Sequence, residues 1–337
     1  MDDFSDFLAG LPHPALLIGR DERILRANPA AEALFGAGLI GRPHAFLLRR
    51  PEPLAAIAAA LRQRQTSAAR LVIPGEGAEA VWQMTVWPVA TGAACLLEDR
   101  TRAEQAEQMR RDFVANVSHE LKTPLTALSG FIETLQGPAR NDAAARDRFL
   151  GIMAREADRM NRLVRDLLHL SRVEAQERQR PETRVDLAGL ARSVVATLRP
   201  MAENAGVTLE TKGLDEAFVL RADADQMTQV LTNLIENAVK YGGAGGWVGI
   251  GLSREHGPRG PQARLTVEDR GEGIDVLHLP RLSERFYRVD GHRSREKGGT
   301  GLGLAIVKHI AQRHRGRLVI DSETGKGARF SILLPLD

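Results

Sequence analysis

The sequence has one cysteine, Cys95, in 337 residues. A single thiol cannot close an internal disulfide or build a thiolate metal cluster. Cys95 sits in an apolar stretch and reads as a small buried hydrophobe, in a chain suited to a reducing compartment. Charge of one sign is also lacking: 46 basic against 43 acidic side chains leave a net charge of +3. The Arg-rich run from 155 to 172 is interleaved with acids and apolar residues. The clustered basic face that nucleic-acid binding needs is therefore missing, and no nucleic-acid partner is expected. Long hydrophobic runs are missing too. A membrane-spanning helix takes roughly 20 apolar residues. The stretch around Val86 to Leu97 is too short and holds Pro88 and Gly92. The N-terminus, MDDFSDFLAG, is acidic where a secretory leader is basic. These absences predict a soluble, cytoplasmic chain, with any membrane anchor outside this sequence or on a partner.

What is present suits a globular protein: 43% hydrophobic and 26% charged residues. The length predicts about two or three domains. Residues 1–101 read as a small α/β module. Strands are expected over Ala15 to Ile18, Ile24-Leu25, Ala69 to Ile73, Ala80 to Pro88 and Ala93 to Leu97. Asn28 can cap a helix that starts at Pro29 and closes at Gly36. Residues 102–177 read as two long helices. The first carries an apolar stripe of Met109, Phe113, Val117, Leu121, Leu128, Phe131 and Leu135. The second repeats the pattern with Phe149, Ile152, Met153, Met160, Leu163, Leu167 and Leu170. Gly137-Pro138 separates them, and Asn141 or Asp142 can cap the second. One such hairpin buries its stripes poorly, so two copies forming a four-helix bundle, and hence a homodimer, are expected. A polar linker spans 175 to 182. Residues 183–337 mix helices and strands in the pattern of an α/β sandwich.

Four segments bear on chemistry. In QVLTNLIENAVKYG (229–242), Asn233 and Asn237 share one helix face with Lys240 nearby, while Val230, Leu231, Leu234 and Ile235 form the packing face. Amide oxygens are hard ligands suited to Mg²⁺. Lys240 can meet a phosphate, and Tyr241 can pack on a base or ribose. A plain amphipathic helix with two surface asparagines fits the same residues. In DRGEGI (269–274), Asp269 ends a strand and can accept from an exocyclic amine such as adenine N6. Many ordinary turns also combine Asp with Gly. In GGTGLGLAIVKHI (298–310), a glycine loop enters an amphipathic helix, which is a ready anion site. Other nucleotide-binding folds use such loops as well. In FVANVSHELKTPLTAL (113–128), Val117 and Leu121 face the seam. His119 is two residues from each, roughly 200° away on a helix, and is therefore exposed. Neutral imidazole is a competent nucleophile near neutral pH. Glu120 can accept a proton or orient the ring, and Thr123 lies one turn on. Pro124 lacks an N–H, so a bend is expected there.

In the order Asn helix, DRGEGI, RFYRVD (285–290), GTGLGL and GKGARF (325–330), the last domain resembles the Bergerat (GHKL) ATP-binding domain shared by histidine kinases, DNA gyrase, a mismatch-repair ATPase and a heat-shock chaperone. SHELKTPL resembles the phosphoacceptor motif of histidine kinases nearly letter for letter. The strand–helix order and the EDRT exit (98–101) of the first module resemble a PAS sensor domain. A packing module without ligand fits that pattern equally, and no haem or flavin signature is present. His13 and His44 read as surface or core histidines. The chain is thus similar to sensor histidine kinases of α+β multidomain build. Its PAS-like front and RFYRVD segment are similar to the phosphate-regulon, PhoR-like, members.

That resemblance implies ATP and Mg²⁺ as cofactors. The nucleotide would meet Asn233, Asn237, Lys240, Tyr241, Asp269, Gly271, Gly273, Gly299, Thr300, Gly301, Leu302 and Gly303. Asn237 and Asn233 would face the metal. The stretch between Gly271 and Gly299 would be a mobile lid, anchored by Phe286 and Tyr287, with Arg288 reaching the phosphates. His119 would take the γ-phosphoryl group and pass it to an Asp of a response-regulator receiver domain of OmpR/PhoB type. Thr123 would position water for dephosphorylation. Two other readings carry weight. A clamp-type ATPase of the same superfamily needs a carboxylate base near the Asn helix, where Glu236 stands, but it has no place for the helical hairpin. A non-catalytic scaffold or dedicated phosphatase would show a decayed loop or no His119.

Overall fold

The computed structural model describes residues 8–74, 79–177, 179–258, 260–289 and 299–336. It divides after residue 115 into two compact units. In the first, β1 (Ala15–Gly19), β2 (Ile24–Ala27), α1 (Pro29–Phe35), α2 (Pro51–Ala58), β3 (Ser67–Pro74), β4 (Glu79–Val89) and β5 (Gly92–Asp99) follow in order. The strands form one antiparallel sheet, β2-β1-β5-β4-β3. Asn28 caps α1 as its sequence predicts, with Oδ1 accepting from Ala31 N at 2.9 Å. The same oxygen accepts from Ala15 N, and Nδ2 donates to the carbonyls of Leu11 and His13. This buried amide is thus satisfied on every side and ties α1 to the strand before it. Leu16, Ile18, Ile24, Ile57, Met84, Val86 and Leu97 make the core, and Cys95 is buried among them. Burial pushes its thiol up to about 12, so it is an inert hydrophobe at neutral pH. His44 is buried and His13 exposed.

The EDRT exit is a joint. Asp99 accepts from Thr101 N at 2.8 Å, and the Thr101 hydroxyl accepts from Val81 N at 2.9 Å. The long helix α3 (Thr101–Gln136) starts there. Arg70 on β3 grips Glu104 in its first turn with both nitrogens of its fork. α3 runs continuously through Pro124, which is buried.

In the second unit, α3 pairs with α4 (Ala143–Ala175). Of the two expected caps it is Asp142 that acts, accepting from Ala145 N at 2.9 Å. Phe131 and Phe149 stack across the hairpin with centroids 5.2 Å apart. From Phe113 on, the predicted stripe residues are half-buried or buried within one chain. Beside the stripe, Leu125, Ile132, Leu150 and Leu168 remain 43–56% exposed.

The remainder is built from β6 (Arg184–Asp186), α5 (Leu187–Asn204), β7 (Thr208–Lys212), β8 (Val219–Arg221), α6 (Ala224–Gly242), β9 (Trp247–Gly257), β10 (Gly260–Asp269), α7 (Gly303–Arg313), β11 (Arg317–Ser322) and β12 (Ala328–Pro335). A mixed sheet runs β11-β12-β10-β9-β7, parallel only at β7–β9. Val248, Ile250 and Leu252 alternate inward on β9, as do Ala263, Leu265 and Val267 on β10. α5, α6 and α7 cover this apolar face, giving the expected sandwich. The short strand β6, not expected from sequence, pairs with β8. Its last residue, Asp186, caps α5 and also accepts from Phe218 N at 2.8 Å. No helix of the described residues is long and apolar enough to cross a membrane.

Candidate functional site

The amphipathic period of α6 decides what its polar residues do. Met227, Val230, Leu231, Leu234, Ile235 and Ala238 are buried against the sandwich. That orientation leaves Asn233 and Asn237 half-buried on the other side. Asn233 Nδ2 donates to the Gly303 carbonyl at 3.4 Å, so the Asn face adjoins the first turn of α7. At its other end α6 meets the strand-end aspartate. A Cβ on Gly242 would lie 2.3 to 2.5 Å from Asp269 side-chain atoms, so only glycine lets the two segments approach. Asp269 is 6% exposed, and its Oδ1 accepts from Gly271 N at 2.9 Å. Burial pushes its carboxyl above the usual carboxylate range, with the Gly271 amide opposing. The GKGARF turn packs behind it: Gly325 N donates to the Glu272 carbonyl at 2.7 Å, on the chain that carries Gly273.

The glycine loop precedes α7 without a side-chain cap from Leu302. Instead Leu302 N donates to the Thr300 hydroxyl at 3.3 Å. Gly301 has φ +72°, and a Cβ there would come within 3.0 Å of Phe286 backbone. Phe286 N in turn donates to the Gly301 carbonyl at 2.9 Å. Phe286 itself takes φ +64°, a rare conformation for an aromatic residue. Tyr287 is fixed by its hydroxyl, 2.7 Å from His278 Nδ1, and by Arg281 over its ring. Phe286 and Tyr287 thus hold this segment on the domain. The expected lid extends through residues 290–298, which lie outside the described residues, as does Asp290 of RFYRVD. Burial lowers the Lys240 ammonium below its ordinary value, Tyr241 opposing, and the ammonium stands 4.9 Å from the Tyr241 ring centroid. Tyr241 is 45% exposed.

On α3, His119 is exposed and Val117 and Leu121 are half-buried, as the periodicity predicts. The Thr123 hydroxyl donates to the His119 carbonyl at 3.1 Å, which fixes it one turn from His119. Glu120 is turned onto α4 and not toward the imidazole. Its Oε2 accepts from Arg159 at 2.6 Å and from Arg288 at 3.4 Å. Arg288, expected at a phosphate, here spans Glu120 and the Gly299 carbonyl. The hairpin and the sandwich meet elsewhere as well. Thr300 donates to Asp166 at 2.7 Å and Arg285 pairs with Glu174 at 2.5 Å, while Arg313 donates to the carbonyl of Gln179 in the linker at 3.1 Å.

Arg159, Asp166 and Glu174 carry no local signal in the sequence. They fall in or beside the charged run at 155 to 172, where basic, acidic and apolar residues are interleaved. Only the packing of two distant segments gives them partners. The sequence motifs do converge: α6, the Asp269 turn and the glycine loop are adjacent, with His119 on a separate helix of the same unit.

This division, an exposed histidine on a helical hairpin and a glycine loop beside an asparagine-bearing helix on a sandwich, matches known families. Residues 109–176 match the His Kinase A (phospho-acceptor) domain, and residues 222–337 match the histidine kinase-, DNA gyrase B-, and HSP90-like ATPase. Residues 8–105 match a PAS fold. The chain belongs to the sensor histidine kinase family. It is 42% identical over 239 residues to the phosphate regulon sensor protein PhoR of Pseudomonas aeruginosa, covering 70% of this chain and 52% of that protein. It is 37% identical over 247 residues to the sensor protein kinase WalK of Staphylococcus saprophyticus, covering 73% of this chain and 40% of that one. The chain therefore spans about half the length, or less, of these curated relatives. A solved histidine kinase, ThkA in complex with the response regulator TrrA, shares the fold with TM-score 0.52 over 98% of both chains at 20% identity.

Proposed function

We propose that the chain is an ATP-dependent protein-histidine kinase that phosphorylates itself on His119. The observation that carries this is the pairing of an exposed histidine, one turn from Thr123, with a separate site where α6, the Asp269 turn and the glycine loop adjoin. The residues of that site suit a magnesium nucleotide. Asn233 and Asn237 offer amide oxygens on one face, next to a helix N-terminus and its loop amides. Asp269 is the buried strand-end carboxylate that would accept from an exocyclic amine, and Gly271 and Gly273 allow the close backbone packing that forms its turn. Asn237 and Asn233 would hold the metal, which neutralises phosphate charge when bound. Lys240 and Arg288 add positive charge, and Gly299 to Gly303 supply amides. Phosphoryl transfer depends mainly on positioning and charge neutralisation, which this set supplies.

His119 then attacks the γ-phosphorus through a ring nitrogen, and the bond to the β-bridging oxygen breaks. Glu120 must exchange its partners before it can accept the imidazole proton. The half-buried seam calls for a homodimer. Phospho-His119 donates to an Asp of a response-regulator receiver domain, with an OmpR/PhoB-type partner and phosphate-starvation signalling favoured by the PhoR likeness. Thr123, placed one turn from His119, supports a second activity, dephosphorylation of that partner. Residues 1–101 form the PAS-like sensor, 102–177 the dimerisation hairpin and 183–337 the catalytic domain. The test is incubation with γ-labelled ATP and Mg²⁺. Wild type should acquire acid-labile, alkali-stable label and His119→Gln none. Steady ATP hydrolysis with no protein-bound label would instead favour the clamp-type ATPase.

A further inference from the structure

The glycine loop meets an acceptor from its own chain. Thr300 stands in the middle of that loop, and its hydroxyl donates to Asp166 Oδ2 on α4 at 2.7 Å. The same hydroxyl accepts from Leu302 N, the residue before α7. Asp166 therefore holds the loop through the one side chain that also organises the start of α7. A carboxylate hydrogen-bonded at the mouth of a helix N-terminus resembles, in charge and in acceptor geometry, one oxygen edge of a phosphate.

The surroundings strengthen the likeness. Burial raises the Asp166 carboxyl, opposed by its bond to Thr300. A polyphosphate entering the loop would add several negative charges beside Asp166. The flanking contacts, Arg285 to Glu174 and Arg288 to Glu120, press the lid side of the site onto the same hairpin.

We propose that Asp166 is an internal competitor for nucleotide phosphates: it docks the glycine loop on α4, and a bound phosphate chain must displace it. This rests on the nucleotide reading above. It makes undocking from the hairpin and phosphate capture one event, so the sandwich is released to reach His119 only when loaded. The energy at stake is that of one charge-assisted hydrogen bond plus repulsion between like charges in a partly dry interface.

The competition is specific to phosphate, and that makes it testable on the full chain. Binding of adenosine and of the non-hydrolysable analogue AMPPNP with Mg²⁺ is measured by calorimetry for wild type, Asp166→Ala and Asp166→Asn. Circular dichroism verifies that each variant is folded, and the near-isosteric Asn variant guards against disruption by the Ala variant. The expected result is AMPPNP bound roughly threefold to tenfold more tightly by Asp166→Ala. Asp166→Asn, which keeps an acceptor but no charge, should fall between it and wild type. Adenosine affinity should be unchanged throughout. Equal AMPPNP affinity in all three proteins, or weaker binding to Asp166→Ala, overturns the competition while leaving the kinase reading intact. Equal tightening for adenosine and AMPPNP also overturns it, since the effect would then be a general loosening. Failure of wild type and both variants to bind AMPPNP would bring down the nucleotide reading itself.

Discussion

The helices of the sandwich and those of the hairpin are both amphipathic, yet only the former bury their apolar faces in one chain. On α6, Met227, Val230, Leu231, Leu234 and Ile235 are each fully buried. On the hairpin, Leu125, Ile132, Leu150 and Leu168 are 43–56% exposed. The contrast teaches that the sandwich is finished by its own sequence, while the hairpin leaves apolar surface of the kind the proposed dimer would cover. A separable acceptor also suits the proposed chemistry, because the donor must approach His119 and then leave it.

The largest effect should come from the finished half. Asn237→Ala removes one of the two amide oxygens proposed to hold the metal. It should lower Mg²⁺–AMPPNP affinity by about 100-fold or more by calorimetry, consistent with loss of a hard ligand in a site of few protein groups. Chelating Mg²⁺ in wild type should give a similar loss. If Asn237→Ala binds normally, α6 is a plain amphipathic helix after all.

The unfinished half should break differently. Leu125→Glu with Leu168→Glu places charges on these exposed apolar positions, where burying a leucine in the proposed dimer is worth about 2 kcal/mol. Light scattering should show dimer converted to monomer, with AMPPNP affinity unchanged. A double variant that stays dimeric would move the interface away from this seam.

A subtler contrast lies within the sandwich. The folded chain holds the Asp269 proton to higher pH than the unfolded chain does. Stability therefore falls as pH rises through the window above the ordinary carboxylate value, and the cost persists at neutral pH. Asp269→Asn should raise stability at pH 7 by about 1 kcal/mol in urea titrations, while weakening adenine nucleotides. Lower stability would show that the carboxylate is structural.

The smallest effect concerns His314 at the end of α7. Its Nε2 accepts from Asp223 N at 3.1 Å and its Nδ1 lies 2.8 Å from the Ile310 carbonyl, which fixes the neutral ring. Burial lowers its pKa from 6.5. The unfolded chain thus binds the proton more readily. The stabilisation is complete above about pH 6.5 and is lost as pH falls below it. The melting temperature should drop by a few degrees between pH 7 and 5.5, on the order expected for about 1 kcal/mol. His314→Gln should flatten that slope.

Local rules made much of the fold legible. Asn28 and Asp142 act as caps because the cap bond spans only three residues, and α6 presents its asparagines outward because its packing face has a clear period. The mixed sandwich follows from alternating strands and helices. β6 was not legible, since three residues gain strand character only by pairing with the distant β8. Nor were the partners of Glu120 and Arg288. Their sequence neighbours suggest imidazole and phosphate, but pairing of α3 with α4 supplies Arg159 to Glu120, and docking of the hairpin on the sandwich joins Glu120 to Arg288. Motifs show which residues share a site; they do not show which contacts hold that site between turnovers.

The most direct test of the account locates the phosphate itself. The full chain is incubated with ATP and Mg²⁺, digested under alkaline conditions that preserve phosphohistidine, and mapped by tandem mass spectrometry. The account predicts phosphate on the imidazole of His119, absent in Asn237→Ala. Phosphate on Ser118 or Thr123 with His119 unmodified, or ATP consumed with no modified peptide, would contradict it.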